Sequence, residues 1–141
     1  MGINFFNEDI EFQIENNHLI TAWINSAIEE HKYLPGTINY IFCSDEYLLK
    51  LNQQYLDHDT YTDIITFDYG TGKVLSGDIF ISIERVRENA HKFKKTFENE
   101  LHRVIIHGIL HLCGLKDKTD KESKEMRKQE DHYLQKLIVK I

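Results

Sequence analysis

Two histidines, His107 and His111, stand four residues apart in the segment HGILHLCGLKD. On a helix, at about 100° per residue, two such positions lie within roughly 40° of each other and one turn apart, so both imidazoles can reach one ion. Gly114 follows three residues after His111, and Asp117 three after that. A glycine there lets the chain leave the helix and swing back, which places Asp117 to close a third vertex. The spacing His-x3-His-x2-Gly-x2-Asp is that of the long zinc-protease motif with aspartate in place of the last histidine. Two imidazoles and a carboxylate are an ordinary ligand set for a catalytic zinc, which keeps its fourth position open. Nickel, manganese and iron accept the same donors. Asp120 is an alternative third ligand, in which case Asp117 merely caps the last helix.

Gly108 departs from protease chemistry. In HExxH enzymes the residue after the first histidine is the glutamate that serves as general base, and glycine cannot do that. It also costs about 1 kcal/mol against alanine inside a helix. A backbone left bare at that point implies a close approach, either of a substrate or of a neighbouring element. Closed structural zinc sites use four protein ligands and favour cysteine; three ligands without cysteine describe an open site. Cys113 falls on another side of the helix from the histidine pair and reads as a packed thiol, and Met126 as a core methionine.

The elements that must position these groups follow from periodicity. Residues 3–6 read as a short strand. Asn17 is a candidate cap for a helix to about Lys32, with Ile20, Trp23, Ile24, Ala27 and Ile28 on one face. Pro35-Gly36 reads as a turn, 37–43 as a strand, and Ser44 as the cap of a helix to about Tyr55. Strands over 62–69 and 77–83 are spaced to pair as a hairpin. A helix over 84–94 comes next, followed by one capped by Thr96 that carries both histidines and ends at Gly114. Asp120 or Thr119 caps a last, highly charged helix to about Val139. Three or four strands with four or five helices, not strictly alternating, predict an α+β fold: a small mixed sheet packed with helices, the metal site on a central one.

A chain of 141 residues fits one domain over 1–141 and can bury a core without disulfides. The two cysteines, Cys43 and Cys113, show no CxxC spacing and are expected to be reduced, buried thiols in a reducing compartment. The N-terminus lacks a basic start and an apolar run, so no signal peptide is expected. The apolar run 104–115 is too short to span a bilayer, and a cytoplasmic location is the expectation. Net charge is −6, divided as −10 over residues 1–70 and +4 over 71–141. That balance disfavours indiscriminate nucleic-acid binding but permits a local phosphate-facing surface in the basic half.

The segments HGILHLCG at 107–114, TDIITF at 62–67 and GDI at 77–79 together resemble the YbeY family of bacterial endoribonucleases and rRNA maturation factors. The resemblance runs in order over residues 51–130. It takes in Glu100 ahead of the metal helix and Met126 and Glu130 on the last one; the N-terminal third matches only in layout. It implies one zinc ion, an α+β fold, and a metal-dependent single-strand endoribonuclease acting in 16S rRNA 3′-end maturation and ribosome quality control. The implied partners are rRNA, the small ribosomal subunit and ribosome-associated proteins, with no membrane. Two departures stand out. The family usually ends its motif with a third histidine where this chain has Asp117, and it often carries arginine where this chain has Leu56. His58, Lys92, Lys94, Lys95 or Lys116 are substitutes for that missing phosphate contact. Two other functions compete: a non-catalytic ribosome assembly factor with a structural metal, and a hydrolase of another substrate, the latter disfavoured by Gly108.

Overall fold

Side chains that alternate in and out along four strands define the sheet. In the computed structural model, which describes residues 2–56 and 60–140, these are β1 (Gly2–Asn7), β2 (Leu34–Cys43), β3 (Ile64–Asp68) and β4 (Val74–Ser82). The order across the sheet is β1-β2-β4-β3. β1 and β4 run parallel to β2, and β3 runs antiparallel to β4 at one edge. Ile38, Tyr40 and Phe42 of β2 and Ile79 and Ile81 of β4 face the main core. The opposite parity, Cys43, Ile65, Phe67 and Phe80, faces a smaller cluster completed by Leu48.

Five helices cover the sheet: α1 (Asn17–Glu30), α2 (Asp45–Leu56), α3 (Ile83–Lys92), α4 (Phe97–Leu112) and α5 (Asp120–Lys140). α2 supplies Leu48 to the smaller cluster, while α1, α3, α4 and α5 contribute to the main core. The five α1 residues expected to share an apolar face are the five it buries. Trp23 Nε1 donates to the Tyr133 carbonyl at 2.8 Å, joining α1 to α5. The Tyr40 hydroxyl donates to the Ile105 carbonyl at 2.9 Å, joining β2 to α4. α4 is the central helix, with Leu101, Val104, Ile105, Gly108, Ile109 and Leu112 all buried. Each buried leucine or isoleucine contributes about 1.5–3 kcal/mol of transfer free energy, so α4 is anchored as firmly as any part of the chain.

Several boundaries differ from the sequence reading for identifiable reasons. α1 is preceded by Asn16 in the left-handed conformation (φ 58°) without a side-chain cap bond; Asn17 lies inside the first turn, accepting from the Thr21 hydroxyl at 3.2 Å. Pro35-Gly36 is part of β2 and not a turn. The reversal occurs earlier, at Lys32 (φ 69°), where Tyr33 N–H bonds the Ile28 carbonyl. The β2–β4 register then shifts between Pro35 and Ile38, an irregularity that accommodates a proline with no N–H to donate. Thr119, not Asp120, caps α5: its hydroxyl accepts from Glu122 N–H at 3.1 Å while the Glu122 carboxylate accepts from Thr119 N–H at 3.0 Å, a reciprocal capping box. Burial pushes the Cys43 thiol up to about 12 and the Cys113 thiol up to about 11. Both are free, Cys113 being only half-buried. Among the described residues no helix is long and apolar enough to cross a membrane.

Candidate metal centre

The site begins with how closely α4 lies on the sheet. A Cβ on Gly108 would stand 3.0 Å from Ile79 Cγ2 and 3.1 Å from Ile64 Cδ1. The bare backbone is therefore explained by the neighbouring sheet, the second of the two causes that the sequence left open. With Gly108 against β3 and β4, its neighbour His107 comes to the flank of α4 beside β3. His111 follows one turn later with its ring nearly parallel to that of His107, at 10° and 6.2 Å between centroids.

Gly114 has φ 102°, a conformation that L side chains rarely adopt. Leu115 N–H bonds the Leu110 carbonyl there at 3.0 Å, and the chain turns back. Asp117 Oδ2 thereby arrives 3.4 Å from His107 Nε2. His107, His111 and Asp117 line one cavity of about 270 Å³, whose remaining wall is Thr62, Asp63, Ile64 and Thr66. Within the TDIITF segment, Thr62, Asp63, Ile64 and Thr66 thus face the histidines, while Ile65 and Phe67 face the smaller cluster. Asp120 lines neither this cavity nor its neighbours. Among the described residues no three His, Cys, Asp or Glu side chains already stand close enough together to hold an ion.

What fixes His107 comes from α5. Its Nδ1 is 2.7 Å from Glu130 Oε2, and a carboxylate only accepts, so Nδ1 carries a proton there and Nε2 is the nitrogen turned toward Asp117. The Glu130 side chain is buried, and its other oxygen accepts from Arg103 Nη1 at 2.8 Å; Arg103 Nη2 donates to Asp131 at 2.6 Å. Burial opposes charge on His107, but the Glu130 hydrogen bond and the carboxylates of Asp117 and Asp63 outweigh it and raise the imidazole pKa. Burial likewise pushes the Asp63 carboxyl up, opposed by His107. Glu130 entered the sequence reading only through a resemblance. The signal that could have singled it out is Arg103, a guanidinium between Leu101 and the apolar run 104–106 of α4, which needs an anion where it is buried.

The donor set suits a divalent ion: one imidazole oriented by a buried carboxylate, a second imidazole and a third-vertex carboxylate on an open side. Basic groups stand nearby, with Lys116 and Lys118 lining a cavity shared with His111 and Asp117 and Lys92, Lys94 and Lys95 exposed at the end of α3. Leu56 is the last residue of α2, and His58 lies outside the described residues.

The family described as Endoribonuclease YbeY matches residues 3–138 of this sequence. The chain belongs to the YbeY family. Curated relatives include the Endoribonuclease YbeY of Flavobacterium psychrophilum, 54% identical over 96% of each chain. The protein of the same name from Christiangramia forsetii is 55% identical over 92% of this chain and 90% of its own. Among solved structures, the solution structure of TM1509 from Thermotoga maritima superposes with a TM-score of 0.65 at 30% identity, over 96% of this chain and 88% of that one. The mixed α+β architecture is accordingly that of the YbeY family.

Proposed function

We propose that the cleft between β3 and the C-terminal half of α4 cleaves phosphodiester bonds of single-stranded RNA with a divalent metal held by His107, His111 and Asp117, acting on the 3′ end of small-subunit rRNA. Membership of the YbeY family, with relatives more than 50% identical along nearly the whole chain, makes it an endoribonuclease and RNA its substrate class. The observation that carries the metal reading is the Glu130–His107 hydrogen bond, which turns Nε2 toward Asp117 in a cavity that His111 also lines. A bound ion of this kind lowers the pKa of a water and polarises a phosphoryl oxygen, which supplies the activation that Gly108 cannot. The chain itself positions the reactants: Lys116 and Lys118 attract phosphate beside His111, and β3 supplies the opposing wall.

Zinc is the ion favoured by this donor set. The test is to strip the purified protein with a chelator, reload it separately with zinc, manganese, nickel or ferrous iron, and assay a single-stranded rRNA 3′-end fragment. Cleavage is expected to vanish on stripping and to return with one of these ions at one equivalent. Undiminished cleavage by metal-free protein would overturn the reading. Ribosomal-particle binding without cleavage under every loading would favour the assembly-factor alternative.

A second expectation concerns α5. Glu130→Gln keeps an acceptor but loses the charge that selects the Nδ1–H tautomer, so metal affinity is expected to fall about tenfold. Competition against a chromophoric chelator measures this. Nitrogen-15 spectra of the metal-free protein report the tautomer of His107 independently; unchanged affinity with an unchanged tautomer would leave Glu130 a purely structural group.

A further inference from the structure

A second cavity, of about 310 Å³, opens beside the first and shares His107, Asp63, Ile64 and Asp117 with it. Its floor and its mouth differ in chemistry. The floor is made by Glu100, Asp63 and Glu130 with Arg103, whose guanidinium is committed to Glu130 and Asp131; Glu130 also holds His107. Glu100 is only 6% exposed, and among the described residues its carboxylate makes no hydrogen bond. Its carboxylate lines the cavity, where a donor on an occupant can reach it. The mouth is made by Phe93, Asn89 and Arg127.

Phe93 is 50% exposed and directly follows α3. The turn that presents it is fixed: Phe93 N–H bonds the Asn89 carbonyl at 2.9 Å, Lys95 N–H the Ala90 carbonyl at 2.8 Å, and Lys94 between them is left-handed at φ 57°. A lysine in that conformation is uncommon. Lys92, Lys94 and Lys95 on one side and Lys124, Arg127 and Lys128 on the other are exposed, so the cavity mouth lies between two basic rims. Such rims attract a phosphate backbone, whereas the floor, with three carboxylates against one guanidinium already paired to Glu130 and Asp131, is the poorer seat for one. The occupant that satisfies both is an uncharged planar base turned inward from a backbone that stays outside. Basic grooves with aromatic platforms are the general means of holding single strands.

We propose that this cavity is a nucleobase subsite, which seats the base of a nucleotide next to the cleaved phosphate with its face on Phe93 and an exocyclic amino group toward Glu100. The inference rests on the RNA reading above and adds selectivity: cytosine, with its N4 amino donor, is held more tightly than uracil, which offers a carbonyl oxygen at the same position.

The test uses the full chain and labelled single-stranded oligocytidylate and oligouridylate. In Phe93→Trp the new indole is exposed, while Trp23, at 1% exposure, gives a constant background. Oligocytidylate is expected to quench the new emission, and the same oligomer with abasic positions to bind without quenching. By fluorescence anisotropy Phe93→Ala is expected to bind oligocytidylate about tenfold more weakly. The wild type is expected to prefer oligocytidylate over oligouridylate by about fivefold, and Glu100→Gln, whose amide both donates and accepts, to bring that ratio close to one. Binding without quenching, or equal affinity of the wild type for the two oligomers, would overturn the subsite while leaving the RNA reading intact. No binding of either oligomer would overturn both.

Discussion

Replacing His107 by alanine is expected to eliminate stoichiometric metal binding and to reduce RNA cleavage about a thousandfold, with the fold retained. His107 stands at the junction of the site: Nε2 faces Asp117, Nδ1 is held by Glu130, and the ring lies parallel to that of His111. Removing it takes away a proposed ligand and leaves Glu130 with only Arg103 as partner among the described residues. His111→Ala is expected to cost as much activity with less effect on stability, because His111 is exposed. Metal content by mass spectrometry, cleavage of an rRNA fragment and urea unfolding distinguish these effects. Wild-type cleavage by the His107→Ala, His111→Ala double variant would mean that the chemistry is done elsewhere.

The second large effect is expected at Gly108. Gly108→Glu, which restores the protease-like HExxH pattern in the sequence, is expected to destabilise the protein by at least about 3 kcal/mol and to produce no peptidase. The side chain would enter the contact with Ile79 and Ile64, adding overpacking of about 1–3 kcal/mol to the burial of an unpaired carboxylate. Gly108→Ala is the control. Its Cβ needs the two isoleucines to yield by a few tenths of an ångström, and the helix-propensity gain of about 1 kcal/mol offsets that crowding. Equilibrium unfolding measures both. A Gly108→Glu protein as stable as the wild type would show that α4 does not dock on the sheet as described.

The sequence carried the centre of this site more clearly than its surroundings, for a physical reason. The His107, His111, Gly114 and Asp117 spacing is local: one helix turn and one left-handed glycine bring His107, His111 and Asp117 to a single cavity, and local geometry repeats wherever the same residues recur. The buried face of α1 was legible for the same reason. What could not be read was tertiary. Gly108 offered two explanations until Ile79 and Ile64 were found above it. Glu130 lies 23 residues beyond His107 on another helix, and no spacing rule links the two. Asp120, the alternative to Asp117 as third ligand, lies outside the cavity that Asp117 lines, a placement that depends on how the bend and α5 pack. The register shift at Pro35 depends on the pairing partner of β2, which its own residues do not specify.

Helix α5 is made after α4, and the carboxylate that orients the first histidine belongs to α5. A nascent chain that has completed both histidines and the bend at Gly114 still lacks the group that selects the imidazole tautomer. A metal centre built on His107 is therefore completed by docking of α5, so during translation it would mature only after that helix has been made.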